Sequence, residues 1–180
     1  MLSNKALFLD RDGVINVDKG YVYMREDIIF IEGIFDLCKF ASRKDYKIMI
    51  ITNQAGIGRG FYTEKQFKNL TKWLEEVFSK KDINIEHTYY CPYHEKFGKG
   101  KYLKESFDRK PNPGMILKAR EERFIDLSRS ILIGDKISDV EAGLRAGVGK
   151  NILYNSSETN LREPFYYQID KLIDAKKFFI

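Results

Sequence analysis

The sequence has two cysteines among its 180 residues, too few for a disulfide framework. No apolar run approaches the roughly 20 residues that span a bilayer, so no membrane association is expected. The opening segment, "MLSNKALFLD", has neither a long apolar stretch nor a small-residue cleavage pattern. No secretory leader is therefore expected, and a reduced, cytoplasmic setting follows. The chain also lacks Pro-, Gly- or Ser-rich linkers, internal repeats and low-complexity tracts, which points to one domain over residues 1–180, long enough to bury a core. Neither sign of charge dominates: 31 Lys and Arg stand against 26 Asp and Glu, for a net charge of +5. The basic residues are interspersed with acidic ones, which permits an anionic ligand without pointing to nucleic acid.

What the sequence does have is alternation. The apolar run "ALFLD" (6–10) ends in turn residues and reads as a buried strand. Ile34, Leu37, Cys38 and Ala41 fall on one face of a helix over about 33–44. "KIMIITN" (47–53) reads as a second strand, and Phe67, Leu70, Leu74, Val77 and Phe78 repeat the helical spacing behind a Thr63–Gln66 capping box. "IEHTYYC" (85–91) is a third strand. "NPGMILKAREERF" (112–124) offers Asn112 as cap and Pro113 at the first helical position. "SILIGD" (130–135) is a fourth strand, followed by a Ser138–Glu141 capping box and a short helix ending near Gly147. "NILY" (151–154) is a fifth strand, and 168–178 a terminal helix. Strands separated by helices imply parallel pairing with right-handed crossovers, hence an α/β three-layer sandwich on a mostly parallel, Rossmann-like sheet. About 20 residues separate the first strand from its helix and 17 separate Cys91 from Arg109, too short for a separate cap domain.

In such sheets ligands bind beyond the carboxyl ends of the strands. The groups at those ends are Asp10 and Asp12, set around Arg11 in "LFLDRDGVIN" (7–16), then Thr52 and Asn53, and Asp135. The cationic pair Arg109 and Lys110 precedes the third helix. Three carboxylates in one crevice repel unless a divalent cation or a proton relieves them.

Together "DRDGVIN", "TNQAGIGRG", "RKPNPGM" and "GDKISDVEAG" resemble the haloacid dehalogenase superfamily of phosphatases. More narrowly, they are similar to the D-glycero-D-manno-heptose 1,7-bisphosphate phosphatases and the related histidinol phosphatases. The resemblance runs from about residue 5 to 155. It implies Mg²⁺-dependent hydrolysis of a phosphate monoester, with Asp10 as nucleophile and Asp12 as general acid and base. Mg²⁺ is implied at Asp10, Asp135 and the backbone carbonyl of Asp12, while Thr52 and Lys110 donate to the phosphoryl oxygens. Substrate contacts are implied at Asp18, Lys19, Gly20, Tyr21, Asn53, Gln54, Ala55, Arg109 and Lys136. Asp139 fits equally a helix-dipole partner and a support for the metal site. The implied substrate is a small phosphorylated sugar, with no nucleic-acid partner and a monomeric chain. Histidinol phosphate, a polynucleotide 3′-phosphate and a phosphoreceiver signalling role stand as alternatives.

The chain departs from its relatives at a structural zinc loop, for which they carry Cys-x-His and later Cys-x-Cys. Here Cys91 is followed by Tyr93 and then His94, and the later pair is Ser106 and Asp108. Structural zinc takes four nitrogen or sulfur ligands, so zinc is not expected, and Phe97, Tyr102 and Phe107 are expected to pack under the loop instead. One shared Mg²⁺, with oxygens at about 2.1 Å, requires Asp10 and Asp135 to lie well within ~10 Å of each other; their separation in the fold decides it.

Overall fold

A computed structural model describes residues 4–156 and 165–180. Six parallel strands form one sheet: β1 (Lys5–Leu9), β2 (Tyr46–Asn53), β3 (Ile85–Cys91), β4 (Ile131–Gly134), β5 (Lys150–Tyr154) and β6 (Tyr167–Ile169). Their order across the sheet is β3-β2-β1-β4-β5-β6. The chain steps outward from β1 to β3, then crosses back to lay β4 on the other side of β1. The order therefore reverses between β1 and β4, and the loops leaving those two strands part there into a crevice.

Among the described residues five α-helices accompany the strands: α1 (Ile34–Arg43), α2 (Ala55–Arg59), α3 (Glu64–Ser79), α4 (Gly114–Arg123) and α5 (Ile137–Ala146). Strand side chains alternate between faces. Leu7, Leu9, Ile48, Ile50, Ile131 and Ile133 point to one face, where Ile34, Leu37, Cys38 and Ala41 of α1 cover them. Ala6, Phe8, Met49, Ile51 and Leu132 point to the other, against Met115, Ile116 and Ala119 of α4 and Ala142 of α5. Each fully buried Leu or Ile contributes roughly 1.5–3 kcal/mol. The expected three-layer α/β sandwich is present. Among the described residues, no helix is long and apolar enough to cross a membrane.

Three local expectations are corrected. α4 begins at Gly114 with Pro113 as its cap, because the Asn112 amide is committed elsewhere, donating to the Ser106 carbonyl at 3.1 Å. α5 begins at Ile137, so Ser138 and Glu141 lie inside it; the Asp139 carboxylate reaches back to accept the Lys136 N–H at 3.0 Å. The terminal segment splits into β6 and a 3-10 helix over Leu172–Phe178. Its inward residues Leu172, Ala175 and Phe178 recur every third position, which suits the three-residue turn of that helix.

The Thr63 capping box is fully formed: Thr63 Oγ1 accepts the Gln66 N–H at 3.2 Å and Gln66 Oε1 accepts the Thr63 N–H at 2.9 Å. Thr63→Ala is expected to lower stability by about 1 kcal/mol in urea unfolding; no loss would mean that α3 holds its first turn without the box.

Candidate active site

The crevice between β1 and β4 collects the charged groups. Asp10 follows β1, and its backbone N–H donates to Ile133 of β4 at 3.1 Å, fastening the strand ends together. One carboxylate oxygen each from Asp10, Asp135 and Asp139 lies within 4.8 Å of the others, far inside the separation at which a shared ion fails. Lys110 enters from the opposite side. Its ammonium is 2.9 Å from Asp10 Oδ1 and 2.7 Å from Asp139 Oδ1, and it donates to the Ile51 carbonyl at 2.9 Å. Asn53, at the end of β2, places that lysine: its Oδ1 accepts the Lys110 N–H at 3.1 Å and its Nδ2 donates to the Lys110 carbonyl at 3.0 Å.

Two carboxylates facing one ammonium already leave a net negative charge, and Asp135 adds another. Burial pushes the Asp10 carboxyl upward; Lys110 opposes that and the Asp139 charge reinforces it. Burial, then the Asp10 charge, push Asp135 up to about 7. Lys110 is raised: burial disfavours its charge, and the two carboxylates outweigh burial. Asp135 Oδ1 is buried without a hydrogen-bond partner among the described residues. An all-oxygen, carboxylate-rich set with an unpartnered oxygen fits a hard divalent cation such as Mg²⁺. Gly13 lets the β1 loop pass this close. Its φ is +95°, and a Cβ there would fall 2.2 Å from Asp135 Oδ2.

Asp12 faces a different set of partners. Arg11, 1% exposed, donates from Nη2 to Asp12 Oδ2 at 2.7 Å and from Nε to Oδ1 at 3.2 Å, and spans to the Val22 carbonyl at 2.6 Å. Asn16 Nδ2 donates to Asp12 Oδ1 at 3.0 Å. Gln54 Nε2 donates both to Asp12 Oδ2 at 3.2 Å and to Thr52 Oγ1 at 2.8 Å, while the Tyr62 hydroxyl donates to Gln54 Oε1. Nothing in the sequence pattern separates Arg11 from an exposed turn residue; its burial follows from the chain reversing over it. Tyr62 likewise carries no signal beyond its apolar ring.

Above this floor lies a cavity of about 770 Å³. Every residue expected at the site lines it except Asp135, which sits in the acidic cluster, and Lys19, which is exposed and turned out of the lining. Asp18 Oδ2 pairs with Lys136 Nζ at 3.1 Å across the rim. Burial raises the Asp18 carboxyl, but the Gly20 N–H and Lys136 outweigh it and hold it below its ordinary value. Asp139 does more than complement a helix dipole: Oδ2 caps α5 and Oδ1 meets Lys110.

A family model described as "Polynucleotide kinase 3 phosphatase" matches residues 9–158. A D-glycero-alpha-D-manno-heptose-1,7-bisphosphate 7-phosphatase of Burkholderia mallei is 50% identical over 84% of this chain and 80% of its own. The enzyme of that name from Campylobacter jejuni is 44% identical over 99% of this chain and 97% of its own. The chain belongs to the heptose-bisphosphate phosphatase family. It is a phosphoric monoester hydrolase of the haloacid dehalogenase superfamily. In fold, this family member matches a D,D-heptose 1,7-bisphosphate phosphatase of B. bronchiseptica, complexed with magnesium and phosphate, with a TM-score of 0.83 at 22% identity over 96% of each chain.

The positions that correspond to the zinc loop have protein partners in this phosphatase. The Cys91 thiol lies 4.0 Å from the Tyr93 carbonyl, and His94 Nδ1 accepts the N–H groups of Lys96 and Phe97 at 3.1 and 3.3 Å. Ser106 Oγ accepts the Asp108 N–H at 3.2 Å, and the Asp108 carboxylate pairs with Lys118. Of the aromatics expected beneath the loop, Phe97 and Phe107 are instead exposed. Tyr102 holds it through a polar bond, donating to Glu64 Oε1 at 2.6 Å.

Asp135 titrates higher in the folded chain than its ordinary 3.8. The folded state therefore holds that proton longer than the unfolded state, and the contribution of Asp135 to the stability of the metal-free protein falls as pH rises from 3.8 through about 7. Asp135→Asn removes that loss. It is expected to stabilise the EDTA-treated protein at about pH 8 by on the order of 2 kcal/mol, and by little at about pH 4. Thermal melts at the two pH values check this, and equal effects at both would refute a strained carboxylate.

Proposed function

We propose that this phosphatase removes the 7-phosphate of D-glycero-D-manno-heptose 1,7-bisphosphate and leaves the 1-phosphate in place, supplying nucleotide-activated heptose synthesis in the cytoplasm. The observation that carries the reading is the buried Asp10–Lys110–Asp139 group at the switch point, with Asp135 beside it. The names of relatives up to 50% identical supply the sugar.

In this reading Asp10 attacks phosphorus and the bond from phosphorus to the C7 oxygen breaks, leaving an aspartyl-phosphate. Its Oδ1 is occupied by the Arg11 N–H at 2.7 Å and by Lys110, so the second oxygen is the nucleophile. Asp12 protonates the departing alkoxide and later takes a proton from the water that attacks phosphorus, which frees Asp10 and inorganic phosphate. Because Asp12 accepts from Arg11, Asn16 and Gln54, it gains a proton only by releasing one of them. Thr52 accepts from Gln54, which leaves its own hydroxyl proton for a phosphoryl oxygen. Lys110 stands beside Asp10 to meet the charge that grows on the phosphoryl group. Asp10, Asp135 and the Asp12 carbonyl would hold Mg²⁺, which supplies further charge neutralisation when bound. Arg109 and Lys136 on the rim recognise the anionic and hydroxyl groups of the sugar, Arg109 through its planar fork.

Asp10→Asn is expected to abolish turnover with the circular dichroism spectrum unchanged; retained turnover would exclude Asp10 as nucleophile. Asp12→Asn is expected to cost about 10²–10⁴-fold in kcat. For the substrate, kcat/KM on both anomers of the heptose bisphosphate is expected to exceed that on histidinol phosphate and on a 3′-phosphorylated oligonucleotide. Preference for either of the latter two would overturn the sugar assignment.

A further inference from the structure

A second arrangement lies on the rim, and of its members Tyr21 lines the cavity while Arg59, Phe61 and Phe97 do not. Arg59 closes α2. Its guanidinium carbon stands 5.3 Å from the Tyr21 ring centroid, 4.9 Å from that of Phe61 and 5.0 Å from that of Phe97, and Nη1 donates to the Tyr21 hydroxyl. Tyr21 and Phe61 meet edge-on at 4.6 Å. The rings come from separate segments: the loop after β1, the turn after α2 and the loop between β3 and α4. All are substantially exposed, at 42%, 49% and 55%. A cation over an aromatic face is attracted by the ring quadrupole, and this one cation is shared among three rings.

The backbone is shaped to allow the meeting. Tyr21 has a φ of +53°, a conformation that a side-chain-bearing residue holds only when its surroundings enforce it. A Cβ on Gly56 would fall 2.9 Å from Tyr21 Cδ1, and one on Gly58 would fall 2.4 Å from the Pro92 carbonyl. Both loops thus seat directly on the bare backbone of α2, and Lys99 N–H donates to the Gly58 carbonyl at 2.8 Å. Tyr21, His94 and Glu95 line the cavity, whereas Arg59 and Phe97 do not.

We propose that Arg59 is a positioning residue whose guanidinium clasps Tyr21 to Phe97, so that the loops 18–24 and 94–102 close around the part of the substrate remote from the transferred phosphate. The inference rests on the phosphatase reading above and deepens it: Arg59 sets specificity for a large ester without touching the reacting atoms.

The test compares the heptose bisphosphate with p-nitrophenyl phosphate, a small ester that makes little use of the rim, in wild type, Arg59→Ala, Phe97→Ala and the double variant. Arg59→Ala is expected to lower kcat/KM for the bisphosphate about tenfold, through KM, and to leave p-nitrophenyl phosphate within about twofold. Phe97→Ala is expected to lose a similar factor, and the double variant no more than the worse single one, because members of one clasp are coupled. Equal losses on both esters, no loss on the bisphosphate, or losses that multiply in the double variant would each overturn the clasp; the last would mark Arg59 as a direct anion contact. If wild type prefers another ester of the panel, the sugar assignment fails separately, and the same criteria apply to that ester.

Discussion

The structure depends on one buried ammonium. Lys110 stands between Asp10 and Asp139 at 2.9 and 2.7 Å, with the Ile51 carbonyl as its third partner. It joins the ends of β1 and β2 to the first turn of α5. Taking one member from such a group strands buried charge, at a cost of roughly 3–5 kcal/mol. The same lysine leaves the site short of positive charge once Asp135 is counted. Cohesion of the strand ends and a surplus of negative charge thus come from the same group of side chains.

Around this floor the chain builds its rim from short loops alone, and α2 is the element they share. Thr52, Asn53 and Gln54 run directly into it, so the segment that lines the cavity beside Lys110 continues into the post on which the rim rests. Gly56 and Gly58 keep that post slender. On one side Tyr62 and Gln54 tie it to Asp12; on the other, Lys99 and Tyr102 bring in the long loop between β3 and α4. Here Tyr102 to Glu64 and Asp108 to Lys118 connect that loop to α3 and α4.

Strand ends were the most readable part of this molecule. Short apolar runs that stop at Asp10, Asn53 and Asp135 announce both the parallel sheet and the edge at which its charged side chains gather. The α1 and α3 faces follow from spacing, and the Thr63 box from local chemistry. The failures have a common cause. Asn112 and Ser138 look like caps, yet Asn112 is taken by Ser106, and at α5 Asp139 performs the capping with one oxygen and binds Lys110 with the other. Arg11 looks solvated, and only the return of the loop over it makes it a buried partner of Asp12. Phe97 and Phe107 look like core and lie outside. Each depends on what arrives from elsewhere in the chain, which local pattern does not carry.

Asp139 divides its two oxygens between the backbone at the start of α5 and the ammonium of Lys110. Unwinding that first turn therefore does more than fray a helix. It frees a carboxylate to wander and, in the same motion, unbalances the lysine it shared with Asp10. The helical integrity of α5 and the charge balance around Lys110 are thereby wired to one side chain.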